Sequence, residues 1–386
     1  MGESLLGLVP KIGVQIDWNS IMQSPLKHFI SKMTETPQNP KWHGEGDVFT
    51  HTKMVCESLV CLEEWQSLER SQQEIVFIAA LLHDVGKINC TRTENGEITS
   101  QGHPPAGALM MRAFLWRELG LSGSLQAQQF REAVCALVRN HSSPLHLWSD
   151  VCPEQKAIKI AAAGELAPYF SNKLLAILSE ADVRGRIAAD TMGQLERLEF
   201  FREIAKECKC FDCPMTFPNA FSRYAYLSGR NILPGQELYD DTWGTVVLIS
   251  GLPGTGKDTY IKDKFPNLPV VSLDALRVKM GISPVESQNT VVAAARELAK
   301  DYLRIKQSFV WNATNISAEL REKQIRLFMD YNATVRVIFL ETSWEENLRR
   351  NQSRKAIVPN NVIEKLLEKL VIPDLSETHE VEWVCV

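Results

Sequence analysis

The stretch Gly251-Leu-Pro-Gly-Thr-Gly256-Lys257 constrains this chain more than any other segment. It follows the β-branched apolar run TVVLISG and precedes the polar, helix-like DTYIKDKF. Glycines let backbone N–H groups turn inward around phosphate oxygens. The start of the next helix adds the positive end of a dipole, and a lysine there bridges the outer phosphates of a nucleotide. Three further runs, LPVVSLD, SFVWNATN and ATVRVIFLET, read as strands. Amphipathic segments such as VVAAARELAKDYLRIKQ and SAELREKQIRLFMDYN lie between them, and Ser343-Trp-Glu-Glu346 reads as a helix-capping box after the last run. Strands alternating with helices of this length imply right-handed crossovers and a parallel sheet covered on both faces, an α/β P-loop domain.

In this half the candidate nucleotide-binding residues are Gly251, Gly254, Thr255, Gly256 and Lys257. The expected cofactor is ATP or GTP with Mg2+. The hydroxyl residue that usually follows the lysine and touches magnesium is replaced by Asp258, with Thr259 next. Which of the two serves the ion stays open. Asp274 stands at the tip of the second strand, where ligands gather in such sheets, and is placed to accept a proton from an attacking hydroxyl. Arg277, one turn on, is placed to clamp an acceptor phosphate. The alternative for this pair is a helix-capping aspartate beside a solvated arginine. Arg349, Arg350, Arg354 and Lys355 cluster before VPNNVIEKLLEKL, a position that suits a mobile lid over the transferring phosphate. Asn312 and Asn315, at the end of the third strand, are candidates for orienting substrate or metal-bound water.

Residues 245–380 resemble the 5′-hydroxyl polynucleotide kinase family. The likeness rests on the P-loop, Asp274-x-x-Arg277, the strand-end NATN and the lid-like RRNQSRKAIVP. The resemblance implies that Asp274 is the general base for a ribose 5′-OH and that Arg277 contacts the adjacent 3′ phosphate of the polynucleotide. It also implies that Arg350 and Arg354 engage the donor phosphates.

The first half has a different period. Ser71-Gln-Gln-Glu74 reads as a capping box ahead of IVFIAALLH, and EAVCALVRNH and KLLAILSEADVRGRI repeat apolar residues every three or four positions. The expected architecture is an all-helical bundle. Along it lie His51, His83-Asp84, His103, His141 and Asp182. Imidazole and carboxylate suit borderline divalent ions such as Mn, Ni, Co or Zn rather than magnesium, and facing helices of a bundle can bring such groups together. The set is large enough for one or two ions, which would share a hydroxide and neutralise phosphate charge. Lys87 and Arg186 are candidate phosphate contacts, because a cation must balance developing charge.

This order of ligands is that of the HD phosphohydrolase superfamily. The stretches HGEGDVFTHT, ALLHDVGK, GHPPAGA, LVRNHSSP and EADVRGR, within residues 17–205, look most like HD domains that accompany tRNA nucleotidyltransferases or are fused to bacterial polynucleotide kinases. The resemblance implies 2′,3′-cyclic phosphodiesterase and 2′- or 3′-phosphatase activity on RNA ends. His43 belongs to the same motif, as a ligand or as a contact to the scissile phosphate. His28, His146 and His379 match nothing.

Together these readings describe an HD domain at 17–207, a Pro- and Gly-bearing connector at 208–243 and a kinase domain at 244–386. Such a chain resembles bifunctional RNA end-healing enzymes that work on RNA ends, with DNA ends as the alternative. No ligase nucleophile motif is evident, so sealing is expected to need a separate RNA ligase. Two other readings compete: an HD nucleotidase fused to a nucleoside or sugar kinase, and a nucleotide-sensing regulator without catalysis.

Bulk properties fit these expectations. A length of 386 residues suggests about two domains. A net charge of −5 argues against a nucleic-acid packaging protein. No apolar run is long enough to span a membrane, and the first residues lack a secretory pattern. Nine cysteines, an odd number, favour reduced thiols and a cytoplasmic location. Cys208, Cys210 and Cys213 lack a nearby fourth ligand and read as ordinary thiols rather than a zinc site.

Overall fold

The computed structural model describes residues 3–283, 286, 288–354 and 356–386. Lys355 of the expected lid cluster lies outside them. The chain forms two compact units, 1–121 with 126–215 and 122–125 with 216–386.

The first unit is helical. Helices α1 (Val48–Cys61), α2 (Arg70–Leu82), α3 (His103–Arg117), α4 (Leu125–Asn140), α5 (Asn172–Arg184) and α6 (Thr191–Glu207) carry most of its core. Helices α2 and α5 are apolar nearly all round, and both are buried over most of their length. A helix with that pattern lies inside its bundle rather than on the surface. Each buried Leu, Ile or Phe contributes about 1.5–3 kcal/mol, which helps offset the burial of the polar groups that these two helices carry inward. The expected capping box at Ser71 does not form. Helix α2 begins at Arg70 after Glu69, without a side-chain cap, and Arg70 Nε pairs with Glu74 at 2.9 Å. Glu74 is thus taken by an i,i+4 ion pair rather than by the helix start. A short antiparallel hairpin, β1 (Arg92–Glu94) with β2 (Glu97–Thr99), interrupts the helices.

The second unit holds a five-stranded parallel sheet in the order β4-β5-β3-β6-β7. Its strands are β3 (Thr245–Ser250), β4 (Val270–Ser272), β5 (Phe309–Asn312), β6 (Thr334–Glu341) and β7 (Glu380–Cys385). The alternation along β3 explains the layers. Val246 and Leu248 face one core with Ala295, Ala299, Phe309, Trp311 and Phe328, while Val247 and Ile249 face the other with Ile261, Val310 and Ile338. Burial on both faces is why these strands read as continuous apolar runs. The chain runs from β3 out to β4, returns through β5 and then crosses to β6 on the other side of β3. Ligands in open α/β sheets gather at the strand C-termini beside such a reversal. The unit also contains α7 (Ala220–Leu227), whose Arg223 donates to the His379 carbonyl at 2.6 Å, while Phe221 stacks on the His379 ring.

Candidate active sites

The first site is built where helix ends and loops converge in the first unit. His83, which caps the C-terminus of α2, and Asp84 after it are both buried. Gly86, two residues further, packs so closely on α3 that an added Cβ would lie 2.0 Å from the His103 carbonyl. That approach needs glycine, and it brings Asp84 to His103. His51 comes from α1, His141 follows α4 and Asp182 comes from α5.

The six predicted ligands do converge. His51, His83 and Asp182 form one group and Asp84, His103 and His141 another, with all ligand atoms of each group within 4.8 Å of one another. Asp84 lies between them. Its Oδ2 is 3.3 Å from His83 Nε2, and its Oδ1 is 3.1 Å from His103 Nε2. His51 Nε2 lies 3.0 Å from Asp182 Oδ1.

Hydrogen bonds fix the ring tautomers. His83, His103 and His141 each donate Nδ1–H to a carbonyl three residues earlier, all at 2.8 Å. Their Nε2 lone pairs therefore point into the cluster, as outer hydrogen bonds set metal-ligand histidines elsewhere. Yet His83 Nε2 stands 3.3 Å from His51 Nε2, and His103 Nε2 stands 3.3 Å from His141 Nε2. Two nitrogens on one ion at about 2.0–2.1 Å are about 2.8–3.4 Å apart between octahedral and tetrahedral angles. Asp84 Oδ1 is a buried oxygen with no hydrogen-bond donor. Facing lone pairs and an orphaned carboxylate oxygen fit divalent ions at both groups.

Cations border this centre. Lys87 Nζ pairs with Asp84 Oδ2 at 2.7 Å and donates to Gln38 Oε1 at 2.6 Å. Arg186 Nη2 pairs with Asp182 Oδ2. Burial alone would raise both carboxyls, but Lys87 and His83 hold Asp84, and Arg186 and His51 hold Asp182, well below the usual carboxylate range. Burial pushes His141 down to about 3, reinforced by His83 and His103, so its ring is neutral. His43 also falls to about 4, chiefly through burial, although its bond to Glu45 opposes the shift. It lies at the rim, with Nε2 3.5 Å from Lys87 Nζ and Nδ1 2.8 Å from Glu45 Oε1. Lys87 and Arg186 are thus parts of the centre rather than surface charges.

Sequence reasoning missed Glu45 and Gln38. Glu45 Oε1 contacts His51 Nδ1 at 2.9 Å as well as His43, and its Oε2 accepts from the Ile187 backbone at 3.0 Å. The only signal for it was its place within HGEGDVFTHT.

The second site lies at the end of β3. Gly256 caps helix α8 (Lys257–Lys264) in the left-handed conformation. Gly254 has φ +91°, and a Cβ there would meet the Asn347 carbonyl at 2.8 Å. Asn347, also missed from the sequence, belongs to α10 (Trp344–Gln352) and donates to the Pro253 carbonyl at 3.0 Å. Thr255 is buried and donates to the Leu252 carbonyl at 2.9 Å, bracing the loop from within. Lys257 Nζ curls over the loop and donates to the carbonyls of Leu252 at 2.8 Å and Gly251 at 3.0 Å. Burial, then the nearby Arg354, lowers its pKa to about 8. Asp258 accepts from Asn312 Nδ2 at 2.7 Å, at the tip of β5. Thr259 is exposed on α8. Asn315, by contrast, turns away from the loop mouth and donates to the Ile249 carbonyl at 2.7 Å, so it supports β3 rather than facing a ligand.

Asp274 lies in the first turn of α9 (Leu273–Met280), which follows β4. Ser272, not Asp274, caps that helix. The Asp274 side chain is 67% exposed and pairs with Arg277 at 2.6 Å, with Arg354 at 3.9 Å from its second oxygen. Arg350 reaches the Thr255 carbonyl at 3.4 Å while paired with Glu346 at 2.6 Å. Ser343 does cap α10, accepting from the Glu346 backbone N–H at 3.2 Å. The Glu346 side chain serves Arg349 and Arg350 instead of closing the box.

Of the CKCFDC thiols, Cys210 is buried beside Asn172 Nδ2, and burial pushes it up to about 12. No helix among the described residues is long and apolar enough to cross a membrane.

Two family profiles match separate parts of the chain. A family profile described as "HD domain" matches residues 48–163, and one described as "AAA domain" matches residues 246–373. Among solved structures, the chain is similar to a protein proposed to be a kinase from Chloroflexus aurantiacus J-10-fl. The identity is 22%, the match covers 37% of this chain and 86% of that one, and the TM-score is 0.32. The chain carries a helical HD domain followed by an α/β domain with a P-loop kinase-like fold.

Proposed function

We propose that this chain heals both sides of a broken RNA. The HD domain would remove a 2′,3′-cyclic phosphate or a 2′/3′ phosphomonoester, and the P-loop domain would phosphorylate a 5′-OH end. The observation that carries the polynucleotide reading is the state of Asp274. It caps no helix, stands exposed beside the loop and is flanked by Arg277 and Arg354. A base on an open rim admits the end of a long chain, whereas small-molecule sites enclose most of their ligand.

In the kinase reaction Asp274 accepts the proton of the 5′-OH as that oxygen attacks the γ-phosphorus. The new O–P bond forms while the bond to the β-phosphate oxygen breaks. Lys257, Arg350 and Arg354 balance the charge that builds on the transferred group, and Arg277 holds the acceptor's neighbouring phosphate. Asp258, oriented by Asn312, is our choice of magnesium-side group.

In the HD site His51, His83, Asp182 and Asp84 would hold one divalent ion, and Asp84, His103 and His141 a second. Such ions supply an activated water and neutralise phosphate charge. Lys87, Arg186 and His43 would orient the phosphoryl oxygens from the open side. The test is a pair of assays: transfer from ATP or GTP to a 5′-OH oligonucleotide against free nucleosides, and hydrolysis of a nucleoside 2′,3′-cyclic phosphate with Mn2+, Ni2+ or Co2+. Transfer to monomers alone would overturn the kinase reading.

A further inference from the structure

The mouth of the HD site carries more than phosphate chemistry needs. A cleft of about 550 Å³ meets the metal-ligand cluster at His103, within the range of small-molecule sites. Its floor is His43, Lys87, His103 and Arg186. One wall is strand β2 and the turn after it, from Glu97 to Gly102. At its lip stands Trp42, 45% exposed.

The position of Trp42 is built. Trp42 and His43 both donate their backbone N–H to the Asn39 carbonyl, at 3.0 and 2.9 Å. The Asn39 side chain donates to the Ile98 carbonyl of the hairpin at 3.1 Å. One turn thus sets two neighbouring residues to two tasks, His43 toward Lys87 and Trp42 onto the lip. Lys41 Nζ lies over the indole, 4.9 Å from its centroid, which keeps a cation on one face of the ring and leaves stacking to the other. A large exposed aromatic next to a cationic phosphate floor has the makings of a nucleotide subsite, because every base has a π-face to stack.

We infer that Trp42 is a stacking platform for the nucleobase of the nucleotide whose terminal phosphate enters the HD centre. This rests on the phosphohydrolase reading of that centre and extends it to substrate choice. Stacking tolerates any base, so the device selects nucleotide ends over other phosphoesters without selecting sequence. Glu97 and Gln101 supply polar groups along the same cleft.

The test compares two substrates on the full-length protein: cytidine 2′,3′-cyclic phosphate and the 2′,3′-cyclic phosphate of methyl ribofuranoside, which has no base. Trp42→Ala should lower the ratio of their kcat/KM values by roughly 5- to 150-fold, mainly through KM for the cytidine compound. Trp42→Phe should restore most of it. An unchanged ratio in Trp42→Ala, or an equal loss on both substrates, overturns the inference. Binding of cytidine 3′-monophosphate and ribose phosphate, measured by calorimetry on wild type and Trp42→Ala, separates the two levels. A cytidine preference that disappears in the variant, with no hydrolysis by either protein, upholds the base subsite and removes the phosphohydrolase reading. No difference in binding between the two proteins removes the subsite.

Discussion

The two candidate sites solve the same problem, handling phosphate charge, in opposite ways. In the HD domain His51 and Asp182, 131 residues apart in sequence, meet in the buried interior. Each carboxylate there already has a cation, Lys87 for Asp84 and Arg186 for Asp182. An unpaired buried charge costs several kcal/mol, so this centre must be assembled as the helices pack. In the P-loop domain the working groups lie in two short stretches, 251–277 and 347–354, and Asp274 is mostly solvated. There the loop is braced by Thr255 and Asn347, and Lys257 is bound to its own loop's carbonyls. A closed centre can hold ions in fixed geometry. An open rim can admit a polymer end and a second substrate.

The sharpest way to break the comparison is to disable each centre alone. Asp84→Ala should lower phosphohydrolase kcat by roughly 10³-fold or more, the several kcal/mol that metal chemistry supplies, and leave the kinase rate unchanged. Lys257→Ala should do the reverse. Loss of both activities from either change would show that the centres are not independent. Asp274→Asn should reduce kinase kcat by about 10²–10⁴-fold, the usual worth of a general base, with nucleotide binding intact by fluorescence titration.

Metal removal probes the closed side. Adding Mn2+ to chelator-treated protein at about 100 times its Kd should stabilise the HD domain by about 2.7 kcal/mol, a rise of roughly 5–10 °C in its melting transition. The P-loop domain should not respond to Mn2+ in this way without nucleotide. Gly254→Ala probes the other side. Its φ of +91° and the Asn347 carbonyl at 2.8 Å from the added Cβ should cost about 1–3 kcal/mol of stability and weaken nucleotide binding, both measurable by thermal melts with and without ATP.

The smallest effect concerns His379. Burial lowers its pKa to about 4, and its Nδ1 accepts from the Val335 backbone N–H at 3.2 Å. Between about 6.5 and 4 the unfolded chain binds a proton that the folded domain refuses, so stability falls as pH drops through that window. At pH 5.5 the loss relative to pH 8 is about 1.5 kcal/mol. His379→Gln should flatten that part of the pH profile.

Much of this was legible in the sequence because it depends on residue type. The glycine-lysine loop, the strands from β3 to β6 and the spaced His/Asp ligands each need particular side chains, and those show in one chain. What did not show depends on geometry. Ser71 looked like a cap, but Glu74 went to Arg70. Strand β7 is a half-buried edge, so its alternation in EVEWVCV is fainter than the apolar runs inside the sheet. The β1–β2 hairpin is short and exposed, and carries almost no apolar signal. Glu45 and Asn347 act by holding other groups, a task that leaves no spacing rule to read. Asp274 remained ambiguous in sequence because a capping aspartate and a catalytic one look alike there. Ser272 at the helix start takes the capping role away from Asp274.

The central claim is that one chain prepares both sides of an RNA break. The direct measurement is to incubate the protein with Mn2+, Mg2+ and labelled nucleoside triphosphate on an RNA bearing a 5′-OH and a 2′,3′-cyclic phosphate, and to analyse both termini. The account predicts a labelled 5′-phosphate and a cyclic phosphate opened and removed to leave hydroxyls. An RNA recovered with both ends unchanged, from protein that phosphorylates nucleosides, would contradict it.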